Sequence, residues 1–381
     1  MLVLQTFTKC QYRQCYSEKI KNFSYQKEWK TELDFFEIEE ININDLPSKS
    51  LVTVRNKTMA ISKWVSPKRT RSYPYARVYD TYDQPCACKV VTIIPLIKDE
   101  GADGDIDYLQ WDTVSLMSLL NVYVIIGYYS SAENNLRRKN KITHQCFNHN
   151  FILKQLELLT NYHQSALHWN LDQLSPEKLS LIAALSKKSY QNISEKLRVE
   201  MHSFERFDNF SNKLTHDREL FMKYSRDKAQ TAQNREFLTL QPKESLIGIG
   251  KKKKITLENY LGGYYFFTVD DVLEKSNTLY LIESKHSKNS LLPSNDDIKD
   301  GLLKLMLYNN VSTLKESEQE KTFEVVLRLT SSMLRETICL PQPPESLEHY
   351  IYRYSFTKNQ SATLHTLNKE CQINHFEVWV E

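Results

Sequence analysis

A mixed α/β fold is what the sequence predicts, and three stretches carry that prediction. Residues 89–129 run strand, helix, strand, which is a β-α-β unit. Residues 151–228 lose the strand pattern and take up helical periodicity. Residues 264–285 read as two strands joined by a turn, with acids on both. The chain has 381 residues, 41% of them hydrophobic and 25% charged, which suits a folded protein with one large domain or two.

The first stretch holds a buried-type strand at 89–97, a helix at 112–120 with Asp112 as its N-cap, and a second strand at 122–129. An acidic, glycine-punctuated loop at 98–107 leaves the C-terminal end of the first strand, where α/β proteins commonly place ligands. The helical stretch should contain three or four helices, one starting at Ser175 and Pro176. Gly248, Gly250 and the lysines 251–254 mark a turn before the acidic strand pair. Residues 291–294 cap a helix at 295–309, and 322–330 form another buried-type strand. Prolines within 341–344 set off a tail with one more helix and strand. The expected division is an N-terminal α/β region (1–150), a helical region (151–230), a core (231–335) and a C-terminal extension (336–381).

Charge excludes little. Fifty basic against 47 acidic residues leave a net charge of +3, so attraction to a polyanion must come from local patches. No signal peptide and no bilayer-length apolar run is evident, and seven scattered cysteines fit a reducing compartment, so a cytoplasmic setting is expected. Cys10 with Cys15 and Cys86 with Cys88 have the wrong spacing for the usual zinc knuckles. His144, Cys146 and His149 lack an evident fourth ligand.

The chemistry concentrates in the strand pair. Residues 264–271 form an aromatic and β-branched strand ending in Asp270 and Asp271, and 274–277 supply a turn. The return strand ends in Glu283-Ser-Lys285, so Glu283 and Lys285 project from one face and Ser284 from the other. A hard-cation ligand and a fixed positive charge then share a surface, and an acid from the first strand can join them. Parity does not separate Asp270 from Asp271, because the strand is apolar on both faces.

Strand with Asp, turn, strand with Glu-x-Lys, helix, strand: this order resembles the catalytic core of the PD-(D/E)xK nuclease superfamily, an αβββαβ unit. Val269 stands where the motif name has proline. In general layout the chain also resembles type II restriction endonucleases of restriction–modification systems. The resemblance covers about 70 residues well. It implies a restriction-endonuclease-like core with an added N-terminal α/β region and helical insert. It also implies Mg²⁺-dependent, site-specific cleavage of double-stranded DNA by a homodimer. Asp270 or Asp271 and Glu283 would hold the metal, and Lys285 would complete the catalytic set.

Lys68, Arg69, Arg71 and Arg77 are interleaved with aromatics and would suit phosphate contacts, as would Arg137, Arg138, Lys139 and Lys288. Two rival readings stand beside this one. In one, the acids at 99–107 hold the metal instead; in the other, a nuclease-like fold binds DNA or protein without cutting.

Overall fold

The structure is a computed structural model that describes residues 15–19, 24–68, 70–216, 253–258, 264–311, 314–316 and 319–381. It is mixed α/β, with two main sheets. The N-terminal sheet orders its strands Phe35–Glu37, Lys49–Val54, Lys57–Lys63, Lys89–Pro95 and Tyr123–Gly127. Arg55 and Asn56, both at positive φ, make the tight turn of its single hairpin. The last three strands are parallel, and helices Pro74–Thr81 and Trp111–Leu119 lie in the crossovers between them.

Burial explains why these strands are apolar on both faces. Ile94, Val124 and Ile126 belong to one core, while Val91, Ile93 and Ile125 belong to a second one with Ile152, Leu156 and Trp169. The edge strand Tyr123–Gly127 is closed by helix Ala166–Gln173. Asn170 Oδ1 accepts from the Val124 amide at 2.7 Å, and the Trp169 indole donates to the Val124 carbonyl at 2.7 Å. Helices His149–Thr160, Ala166–Gln173 and Pro176–Leu197 are N-capped by Asn148, Ser165 and Ser175, and Phe204–His216 follows. Residues 217–228 of the expected helical stretch lie outside the described residues.

Asp112 is not the cap of its helix. Gln110 takes that position, and Asp112 sits in the first turn.

The C-terminal sheet orders Asp271–Lys275, Thr278–Ser287, Gln319–Ser331, Glu377–Val380 and Ile338–Leu340. Ser276 and Asn277, again at positive φ, turn the first hairpin, and helix Asn295–Tyr308 carries the chain to the parallel strand Gln319–Ser331. The expected strand 264–271 is two strands broken at Asp270. Tyr264–Val269 pairs with Lys253–Glu258 in a separate small sheet, and Asp271 opens the hairpin. The tail holds two helices, Pro344–Tyr354 and Lys358–Asn374, not one. Its last strand pairs with Gln319–Ser331, so a boundary at 335 cuts through a sheet.

One hydrophobic core runs from Tyr25 to Val380, so the boundaries at 150 and 335 do not separate independent cores. Helix Asn295–Tyr308 is buried on nearly all sides because the C-terminal sheet covers one face and helix Pro74–Thr81 another. A buried ion cluster fixes that contact. Asp80, 1% exposed, meets Lys299 at 2.7 Å and the Thr31 hydroxyl at 2.7 Å, and Lys49 joins it. Glu370, fully buried, accepts from the hydroxyls of Tyr25 and Tyr79 at 2.7 and 2.5 Å.

Removing the carboxylate of Asp80 strands the Lys299 ammonium in the interior. Asp80→Ala should lower unfolding stability by about 3 kcal/mol or more, measured by urea denaturation.

Candidate active site

The break at Asp270 decides which carboxylate faces Glu283. Asp271 lies opposite Ile282 in the hairpin, and directly opposed residues share a face. Asp271 therefore stands on the side of Ser284, where the next strand contributes Arg328. Arg328 Nη1 lies 3.4 Å from Asp271, and its Nε donates to Ser284 Oγ at 3.1 Å. Asp271 belongs to an ion pair on the far face, and the candidate site keeps Asp270.

Asp270 Oδ2 accepts from the Ser284 amide at 3.1 Å, which lays its carboxylate beside the segment between Glu283 and Lys285. Both of those residues feel its charge. Asp270, Glu283 and Lys285 are thus brought together.

Helix Asn295–Tyr308 adds two groups. Asp300 and Lys304 are one turn apart and face the strand. Lys285 Nζ lies 2.6 Å from Asp300 Oδ2 and 3.2 Å from Glu283 Oε1, while Lys304 Nζ lies 2.6 Å from the same Oε1. Gly301 permits this approach: a Cβ there would sit 2.7 Å from Leu327 Cδ1 and 3.3 Å from Lys285 Cε. Sequence reasoning missed Asp300, Gly301 and Lys304. The available signal was Asp-Gly-x-x-Lys on the helix directly after the Glu-x-Lys strand.

Glu283 is 0% exposed. Burial, with the neighbouring charge of Asp270, pushes its carboxyl up, against the pull of Lys304 and Lys285. Burial works to lower Lys285, but Glu283, Asp300 and Asp270 outweigh it and hold the ammonium above the ordinary lysine value. Three carboxylates thus surround two ammoniums. Both ammoniums crowd Oε1, and Glu283 Oε2 is buried with no hydrogen-bond partner among the described residues.

An oxygen left bare in this way, beside a second carboxylate, fits a hard cation. Mg²⁺ takes few protein ligands and keeps several waters, so Asp270 and Glu283 are a sufficient pair. Among the described residues no three His, Cys, Asp or Glu side chains converge as a cage.

The acidic loop is arranged differently. Glu100 meets Arg71 at 2.8 Å, Lys98 at 3.0 Å and Lys141 at 2.9 Å. Asp105 and Asp107 lie 2.5 and 3.0 Å from Arg71, and Asp99 is 2.7 Å from His202. Asp103 accepts from the Asn140 amide. Burial opposes ionisation of Glu100, yet its close ion pairs with Lys141, Lys98 and Arg71 hold its carboxyl down to about 2.

This network corrects one expectation for DNA binding. Arg71 is committed to three carboxylates of its own chain. Arg77 is partly buried and donates to the Lys63 carbonyl at 2.7 Å. Lys68, Arg137, Arg138, Lys139 and Lys288 are exposed, while Arg69 and Lys251 lie outside the described residues. Arg137 to Lys139 occupy the tip of the hairpin formed by Tyr129–Asn134 and Ile142–Phe147.

The other metal candidates do not assemble. Cys86 and Cys88 are exposed, His144 pairs with Glu133, and His149 Nδ1 accepts from the Ile43 amide. Cys10 lies outside the described residues. No described helix is long and apolar enough to cross a membrane. Comparison with known proteins gives no family model, curated protein or solved structure that matches this chain.

A carboxyl held below its unfolded value stabilises the fold above that value, and the contribution is lost as pH falls toward the folded one. The stability supplied by Glu100 should therefore disappear between about pH 4.5 and about pH 2. Glu100→Gln should be less stable than wild type at neutral pH, with the difference shrinking across that window in thermal melts.

Proposed function

We propose that this chain is a Mg²⁺-dependent nuclease that cleaves double-stranded DNA at specific sites, in the manner of the type II restriction endonucleases its core motif resembles. One observation carries the reading: Asp270, Glu283 and Lys285 meet on one sheet face, and one Glu283 oxygen is left unpaired inside it.

Asp270 and Glu283 would hold the cation. When bound, a hard cation supplies charge to a phosphate oxygen and lowers the pKa of its own water. The remaining work falls to the chain. Lys285 has three N–H donors; one is hydrogen-bonded to Asp300, and Glu283 Oε1 lies 3.2 Å from the same ammonium as an ion pair. A remaining donor would orient the attacking water or meet charge developing on the phosphate. Asp300 acts through Lys285 by fixing the direction of its ammonium.

Exposed Lys68, Arg137, Arg138, Lys139 and Lys288 are the candidates for phosphate contact. A homodimer on a two-fold-symmetric site follows from the same resemblance.

The test is cleavage of plasmid or phage DNA with Mg²⁺ and with EDTA, using variants first checked for folding by circular dichroism. Asp270→Asn, Glu283→Gln and Lys285→Met should each slow discrete, metal-dependent cutting by about 10²-fold or more. Asp271→Asn should still cut, because its carboxylate faces Arg328 on the opposite side. DNA left intact by wild type with Mg²⁺ would sink the nuclease reading and favour a pure binding role.

A further inference from the structure

Lys304 has no part in the chemistry just described, yet it is the closest cation to Glu283. Its ammonium lies 2.6 Å from Oε1, against 3.2 Å for Lys285, and the residue is 8% exposed. Glu283 is its only hydrogen-bond partner among the described residues. Lys285, by contrast, is shared with Asp300.

A carboxylate with no exposure needs a counter-charge inside the protein, and a buried ammonium needs one equally. Each of these two satisfies the other. A divalent cation arriving at Oε2 would meet Lys304 across the same carboxylate, and like charges a few ångströms apart repel strongly away from water. Gly301, one turn before the next contact, leaves the helix close against the strand, so little water can enter to screen them.

We propose that Lys304 is the resident cation of this site: it neutralises Glu283 in the metal-free protein and competes with a divalent metal for that carboxylate. The proposal rests on the metal-site reading of Asp270 and Glu283. It makes Lys304 a residue that sets how tightly and how selectively the site takes up metal. The metal-free fold is stable because of it, and the metal must work against it.

The experiment is Mn²⁺ titration of wild type, Lys304→Gln, Lys304→Arg and Glu283→Gln by calorimetry, with melting temperatures in EDTA and in Mn²⁺. Lys304→Gln should bind Mn²⁺ about tenfold or more tightly than wild type. It should melt lower in EDTA and gain more from Mn²⁺ than wild type does. Lys304→Arg, which keeps the charge, should stay at or below wild-type affinity. Lysine-directed acetylation read by mass spectrometry tests the same displacement in wild type, where Mn²⁺ should raise labelling at Lys304.

Unchanged or weaker affinity in Lys304→Gln, or labelling indifferent to bound Mn²⁺ if that variant does not fold, would overturn the competition. If Glu283→Gln still loses Mn²⁺ in that case, the metal site stands without it. Failure of wild type to bind Mn²⁺ at all would overturn both.

Discussion

A carboxylate with no exposure sits in the middle of the C-terminal sheet, and much of the surrounding architecture answers to its charge. Glu283 cannot remain ionised there alone, since burial and Asp270 both act against it. Two lysines supply the compensation, one from its own strand and one from the crossover helix. The helix must lie close for Lys304 to reach, and a glycine at 301 makes that distance possible. Charge, helix placement and glycine form a single constraint.

That helix is in turn held from outside the sheet. Asp80 of the N-terminal half binds Lys299, and helix Pro74–Thr81 packs along the crossover helix. Lys299 lies next to Asp300, which steers Lys285. The N-terminal half therefore bears on the placement of the helix that carries Asp300 and Lys304, while Asp270, Glu283 and Lys285 come from the C-terminal half. Glu370, bound by Tyr25 and Tyr79, ties the C-terminal helices to the same half. A chain cut at residue 150 would lose Asp80 and Tyr79 from these contacts, so the site is better regarded as the product of one core than of a detachable module.

How much of this was readable in advance depended on range. The hairpin, the crossover helix with its Ser294 cap and the parallel strand follow from local pattern, and so does the shared face of Glu283 and Lys285. Asp270 and Asp271 could not be separated, because the strand breaks between two sheets at that point and alternation cannot be counted through a break. Asp300 and Lys304 were missed because a helix face is defined only once its partner strand is known. Arg71 looked like a phosphate contact for the same reason. Its partners Glu100, Asp105 and Asp107 are distant in sequence, and composition cannot register who pairs with whom.

The two acidic clusters differ in how charge is balanced around each carboxylate. In the 99–107 loop, Glu100 has cations within 3.0 Å of both oxygens, and its carboxyl is held far into the ionised range. Such a group gains nothing from a metal, which would have to expel several partners at once. Glu283 has comparable cations on one oxygen, its other oxygen has no hydrogen-bond partner among the described residues, and burial drives its carboxyl the opposite way. A further positive charge would relieve that imbalance. Counting acids favours the loop, but the balance of charge around each oxygen favours the strand, and it is the balance that a cation senses.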